Sequence, residues 1–242
     1  MPFTFAHPAI LLPFKKHIKR HLSASALIIG CIVPDFEYFI RLRITSEISH
    51  SIIGMFLFNL PIGLLLHLLF HLIIKQPLTN NSPSFLKERL TVFTSKTPNY
   101  STKQLLKVAV SILLGAISHV VWDALTHQHG FFVQASCFLQ SNLSFPGYDI
   151  SIYKLLQHFS TFIGFVAISH FIAQLPRQNS QEKTNYLNLF WLLFLGIILS
   201  LFVSNFDNNL YLLSKKELFS QLLVQGISFS MISLLVTCAV MK

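Results

Sequence analysis

The stretch that decides the fold is Lys103–His127, KQLLKVAVSILLGAISHVVWDALTH. It is long enough to cross a bilayer, and it contains no proline. Near its C-terminal end it carries His119, Asp123 and His127 at i, i+4 and i+8. On a helix this spacing aligns the three side chains in one stripe. Ionisable groups inside a membrane helix are costly, and they usually face a bundle interior or a water-filled cavity. Three metal-capable groups on one stripe therefore point to a membrane-embedded metal site. The competing reading is a buried hydrogen-bond network between helices.

The rest of the chain agrees with a membrane setting. Of 242 residues, 52% are hydrophobic and only 11% are charged, below the usual charge content of a soluble domain. The apolar residues gather in long runs. The expected fold is an all-α integral membrane bundle of five or six transmembrane helices, forming a single membrane domain over residues 1–242. Five spans are expected: Ser51–Ile74, Lys103–His127, Leu155–Leu175, Leu187–Ser204 and Phe219–Met241. A sixth requires residues 22–34, LSASALIIGCIVP, to continue as helix to Ile40. The last two spans form an additional C-terminal part, residues 176–242. Phe85–Phe93 reads as an interfacial helix, and residues 129–153 as a long aromatic loop roofing the site.

The net charge of +9 would suggest nucleic acid in a soluble protein. Here the charges lie in the connections between apolar runs, as membrane topology demands. Neither a zinc finger nor a basic-aromatic array is present, so nucleic-acid binding is not expected. The expected partners are membrane lipids. With six crossings, Lys and Arg divide thirteen against five, which puts both termini in the cytoplasm and the site on the extracytoplasmic side. If residues 22–34 form only a hairpin, the division becomes nine against nine and assigns no side. The three cysteines, Cys31, Cys137 and Cys238, are too scattered for a disulfide framework or a CxxC site.

Helix alternation collects further polar groups at the membrane face where the stripe ends. Asp35 and Glu37 follow the first apolar run, His50 precedes the second, and His158 begins the fourth. Imidazole plus carboxylate suits zinc and, less selectively, manganese or iron. The expected ligands of one or two divalent ions are Asp35, His50, His119, Asp123, His127 and His158. Glu37 is expected as a general base or as a hydrogen-bond acceptor behind the metal ligands, and Arg41 or Arg43 would steady an anionic group. Each residue also has a plainer role available. Asp35 suits a cap for a helix Phe36–Arg43, His50 a cap for the Ser51 helix, His158 an interfacial position and His7 a turn before Pro8. His67 and His71, also i, i+4, read as interfacial imidazoles at the opposite face.

The segments MPFTFAHPAILLP, ALIIGCIVPDFEYF, SHSIIGMFLFNLPIGLLL, LLGAISHVVWDALTHQHG and YKLLQHFSTFIG resemble an uncharacterised bacterial family of polytopic membrane proteins, a domain of unknown function. The resemblance runs from Met1 to about Leu175. That family is distantly similar to membrane-bound metal-dependent hydrolases, in which an early His, a Pro-Asp, a Ser/Thr-His and an HxxxDxxxH helix recur, and more remotely to zinc-dependent phospholipase C, with an HxxxD helix among its ligands. The resemblance implies His7, Asp35, His50, His119 and Asp123 as metal ligands, with His127 and His158 alongside them. It implies a bacterial inner-membrane hydrolase of an ester or phosphoester in a lipid or lipid-linked substrate, with metal-bound hydroxide as the nucleophile. The rivals are a metal-ion or proton transporter, with His67, His71 and His170 on its path, and a non-catalytic membrane scaffold.

Overall fold

A computed structural model describes residues 3–94, 101–178, 189–205 and 214–242. The chain is built almost wholly from helices: α1 Lys15–His21, α2 Ala24–Gly30, α3 Phe36–Arg41, α4 Ile52–Asn80, α5 Ser84–Thr94 and α6 Thr102–Thr126. These are followed by α7 Phe131–Gln134, α8 Cys137–Gln140, α9 Ile152–Ala173, α10 Leu189–Ser204 and α11 Lys215–Val240. The N-terminal segment Thr4–Phe14 winds as a 3-10 helix, in keeping with Pro8 and Pro13 inside it. Among the described residues the strands form one antiparallel hairpin, β1 Asn142–Phe145 and β2 Tyr148–Ser151, closed by Pro146 and a left-handed Gly147.

Among the described residues, four stretches are long and apolar enough to cross a bilayer: Ile52–Asn80, Thr102–Gln134, Ile152–Ala173 and Glu217–Val240. The finer expectation of five or six is not confirmed among these residues, for two reasons. Helix α10 has 16 residues. At 1.5 Å per residue it rises about 24 Å, short of a hydrocarbon core about 30 Å thick. Leu187 and Asn188, the start of that expected span, lie outside the described residues. Residues 22–40 do not run as one helix either. α2 ends at Gly30, a 3-10 turn Val33–Asp35 follows, and α3 stops at Leu42, whose φ of 54° is left-handed. Pro34 breaks the α-helical run, since it supplies no N–H to continue it. The extracytoplasmic assignment, which depended on this crossing, loses its support.

The chain forms two compact units, one of Met1–Pro34, Ile48–Leu64 and Tyr100–Gln174, the other of Asp35–Glu47, Leu65–Asn99 and Leu175–Lys242. In the first, α6 is the axis. Its buried face runs Val108, Ser111, Ile112, Gly115, Ala116, His119, Asp123 and Thr126, a helical spacing of mostly small side chains. Helix α2 lies against this face at backbone distance. A Cβ on Gly30 would overlap the carbonyl oxygen of Ile112, and one on Gly115 would overlap that of Leu27. Small residues permit this approach between helices in lipid, where packing rather than hydrophobicity holds them together. Ser23 N–H donates to Ser111 Oγ at 2.9 Å, tying down the start of α2. The N-terminal segment packs on α9, where Phe3 N–H donates to Thr161 Oγ1 at 3.1 Å.

In the second unit α10 and α11 pair around the buried Phe190 and Phe229. Hydroxyl and amide donors satisfy backbone carbonyls between elements: Ser233 Oγ to Phe194 O at 2.6 Å, Ser228 Oγ to Phe39 O at 2.9 Å, and Gln221 Nε2 to the strained Leu42 O at 2.7 Å.

Replacing Gly115 with Ala forces α2 off α6 and should cost about 1–3 kcal/mol. Thermal unfolding in detergent would register this as a lower midpoint. Gly196→Ala, where an added Cβ meets nothing within 4 Å, should leave the midpoint unchanged or slightly higher.

Candidate metal centre

Asp123 is the hub. It lies on the buried face of α6, one turn beyond the fully buried His119. His119 Nε2 stands 3.4 Å from Asp123 Oδ2, and His50 Nε2 stands 3.6 Å from the same oxygen. His7 Nε2 lies 3.6 Å from Oδ1. The His7 and His119 rings stack with centroids 3.9 Å apart, and His50 meets His119 edge-on. These nitrogen–oxygen separations exceed an ordinary hydrogen bond of about 2.7–3.2 Å. They match the separation of donors sharing one cation: ligands about 2.0–2.1 Å from a tetrahedral zinc lie about 3.3–3.4 Å apart. Asp35, bonded directly to Pro34, completes a group of four: Asp35, His50, His119 and Asp123 each offer one ligand atom, and these atoms all lie within 4.8 Å of one another.

The local structure aims each donor. The Nδ1 of His119 is 2.7 Å from the carbonyl oxygen of Cys31. A carbonyl only accepts, so Nδ1 carries the proton and Nε2 presents its lone pair, the arrangement that orients a metal-binding histidine. This contact exists because Gly30 and Gly115 let α2 touch α6 just before Cys31. His50 is held by a knotted turn. Ser51 Oγ donates to Ile48 O at 2.7 Å and accepts from Gly54 N–H at 2.9 Å, while Asn59 Nδ2 donates to the buried Ser49 O at 2.7 Å. Asn59 ends a π-helical turn, Met55–Asn59, of the kind common beside functional sites.

The capping roles available from sequence are taken otherwise. Ser51, not His50, caps α4. Asp35 occupies the cap position of α3, but its side chain makes no capping hydrogen bond. His127 departs from the expected stripe. The helix ends at Thr126, and His127 continues in extended backbone. Its backbone N–H and its Nδ1–H both donate to Asp123 O at 3.0 Å, so the ring caps the helix end. It stays near the centre, with Nδ1 3.5 Å from Asp123 Oδ1, but outside the group of four. His158 is exposed on α9 and is also outside that group.

Glu37, Arg41 and Arg43 belong to the second unit. The buried Glu37 carboxylate receives Arg41 Nε at 3.0 Å, Ser46 Oγ at 3.2 Å and Glu47 N–H at 3.1 Å. Arg41 also reaches Glu47 Oε2 at 3.1 Å, and Arg43 is exposed. Glu37 and Arg41 thus close the loop after α3. The expected roof over 129–153 folds as α7, α8 and the hairpin, with Val133 fully buried where α7 packs on α6. The His67 and His71 rings lie 4.5 Å apart, tilted at 51°, and His67 is buried.

Sequence reading did not name the Cys31 carbonyl, Asn59 or Ser49. A backbone acceptor leaves no mark in composition. Asn59, a lone amide in the run Ile52–Leu60, was the signal available.

Fold and site together define a mainly helical, membrane-type protein with a buried His/Asp cluster able to hold a metal ion. Residues 1–239 match the family described as a domain of unknown function, DUF4184, and the chain belongs to that family. No curated protein and no solved structure matches it.

Cys31 lies outside the group of four, its Sγ 3.3 Å from Ser118 Oγ, and burial pushes its thiol pKa up to about 11. Iodoacetamide at about pH 8 should therefore alkylate the exposed Cys137 and spare Cys31 in the folded chain. Peptide mass spectrometry reads the result, and rapid labelling of Cys31 would contradict the packing of α2 on α6.

Proposed function

We propose that this chain is a membrane-embedded, metal-dependent hydrolase of an ester or phosphoester. One observation carries the reading. Two carboxylates, Asp35 and Asp123, are buried with donor atoms within 4.8 Å of each other and of two imidazoles. Two buried anions so placed repel strongly and have each lost their hydration. A divalent cation balances the two negative charges and uses the neutral imidazoles as further donors. The nitrogen and oxygen donor set, with no cysteine, favours zinc and suits a reactive rather than a purely structural ion. Such an ion polarises a carbonyl or phosphoryl oxygen and makes water a stronger acid.

The protein's own residues supply the rest. The Cys31 carbonyl keeps His119 Nε2 in its donor tautomer. His7, stacked on His119, is the imidazole placed to pass a proton to the leaving oxygen. Glu37, expected from sequence as the base, is occupied by Arg41, Ser46 and Glu47, so the proton role falls to His7. In the overall reaction the oxygen of water bonds to the acyl carbon or phosphorus and the ester bond breaks. The released alcohol takes up one proton. The four apolar helices and the resemblance to bacterial membrane families favour the bacterial cytoplasmic membrane as its location.

Protein purified without chelator should contain about one divalent ion per chain by elemental analysis. Asp123→Ala should lose it, because the hub carboxylate is gone. A full complement of metal in Asp123→Ala would overturn the centre.

Chelation of the wild-type protein should abolish cleavage of a fluorogenic phosphodiester or carboxylester in proteoliposomes, and zinc should restore it. Metal uptake into the vesicles without cleavage would replace the hydrolase with a transporter. Bound metal with neither activity would leave a structural centre.

A further inference from the structure

A cavity of about 370 Å³ adjoins the metal centre. It lies between the N-terminal segment, α6 and α9, all within the first unit. His7 belongs both to its wall and to the cluster around Asp123. On α6 its wall is Ser118 and Trp122, the residues that immediately precede His119 and Asp123. The metal donors and the cavity wall are thus neighbouring stripes of one helix, about 100° apart. The remaining wall is apolar: Ala9, Ile10, Phe159, Ile163 and Ala167 among others, with no Lys, Arg, Asp or Glu. Phe159 and Ile163 are strongly exposed and sit on a helix apolar enough to cross the bilayer. With α9 across a bilayer, the cavity would face hydrocarbon on that side.

We infer that this cavity takes one acyl chain of a membrane lipid, entering sideways from the bilayer, with the ester or phosphoester presented to the His7–Asp123 cluster. Three features favour this occupant. The cavity is of ligand size and is continuous with the cluster at a single residue, so a molecule filling it places its polar end at His7. Its wall offers hydroxyls only from Ser118 and Ser160 besides the His7 and Trp122 rings, so a charged or sugar-like headgroup would stay unsatisfied there. Its exposed rim is apolar, so a chain sliding in from lipid leaves no polar group stranded. The inference names the substrate class of the hydrolase proposed above and rests on that reading for the fate of the ester. Occupancy by the chain needs neither turnover nor metal.

The test uses the full chain in vesicles of phosphatidylglycerol and phosphatidylethanolamine containing a phosphatidylglycerol with a diazirine on its palmitoyl chain. After illumination, labelled residues are mapped by mass spectrometry. Labelling is expected at Ile10 and Phe159 above that at Phe162 and Val166, which are exposed on α9 but outside the cavity wall. Ala167→Trp, which fills the cavity, should abolish the excess at Ile10 and Phe159 and leave Phe162 and Val166 unchanged. The same sample is assayed for metal, whose retention shows that the fold and centre are intact. If Ala167→Trp is recovered without metal, Ala9→Leu carries the comparison. Equal labelling of cavity and outer residues, or labelling at Ile10 that survives filling, overturns the acyl-chain site while leaving the metal centre standing. Loss of the metal reading, with cavity labelling retained, overturns the hydrolase and leaves a lipid-binding groove.

Discussion

The hydrogen bond from His119 Nδ1 to the carbonyl of Cys31 joins the packing of this protein to its chemistry. It requires a bare backbone carbonyl at the end of α2 to meet a side chain on α6, and two glycines make that possible. Gly30 and Gly115 bring the helices together where any larger residue would hold them apart. Through one 2.7 Å contact, helix spacing selects a tautomer, and the tautomer presents a lone pair to Asp123 and its neighbours. A shift of α2 by the width of a methyl group would remove the constraint.

Electrostatics explains why such care is needed. The buried groups Asp35, Asp123, His7 and His119 sit where water is scarce. Unbalanced, they would oppose folding. Balanced by a divalent cation, they would become the strongest link between the N-terminal segment, the turn before α4, and α6. The N-terminal segment contributes twice, since His7 stacks on His119 and also lines the apolar cavity along α9. On the proposed reading, metal chemistry and lipid access meet at this one residue, in a segment whose two prolines keep it from becoming an ordinary membrane helix.

Much of this was legible from residue pattern alone. The run Lys103–His127 implied a membrane helix, and the i, i+4 spacing of His119 and Asp123 put both on one face. Alternation of the spans placed His50 at the same end. What misled was always a local break. Residues 22–40 are apolar enough to read as a span, yet Pro34 and the left-handed Leu42 divide them into short pieces. His127 keeps the i+8 position in sequence, but the helix has ended one residue earlier and its ring has turned back to cap it. Glu37 lies two residues from Asp35 and reads as its partner in chemistry, while its carboxylate is used up in closing the loop to Glu47. Periodicity carries no information about where a helix stops when both sides are apolar.

Sequence by itself determined the class of molecule and its donor set: helical, membrane-type, with imidazoles and carboxylates able to share a cation. These follow from composition and from spacing along single helices, which depend on covalent geometry and solvent preference. Tertiary structure alone decided which donors meet, which tautomer His119 adopts, and that an apolar cavity opens beside them. Those depend on the approach of segments far apart in the chain, set by backbone contacts at glycines and by carbonyl acceptors that every residue possesses and no residue name reveals.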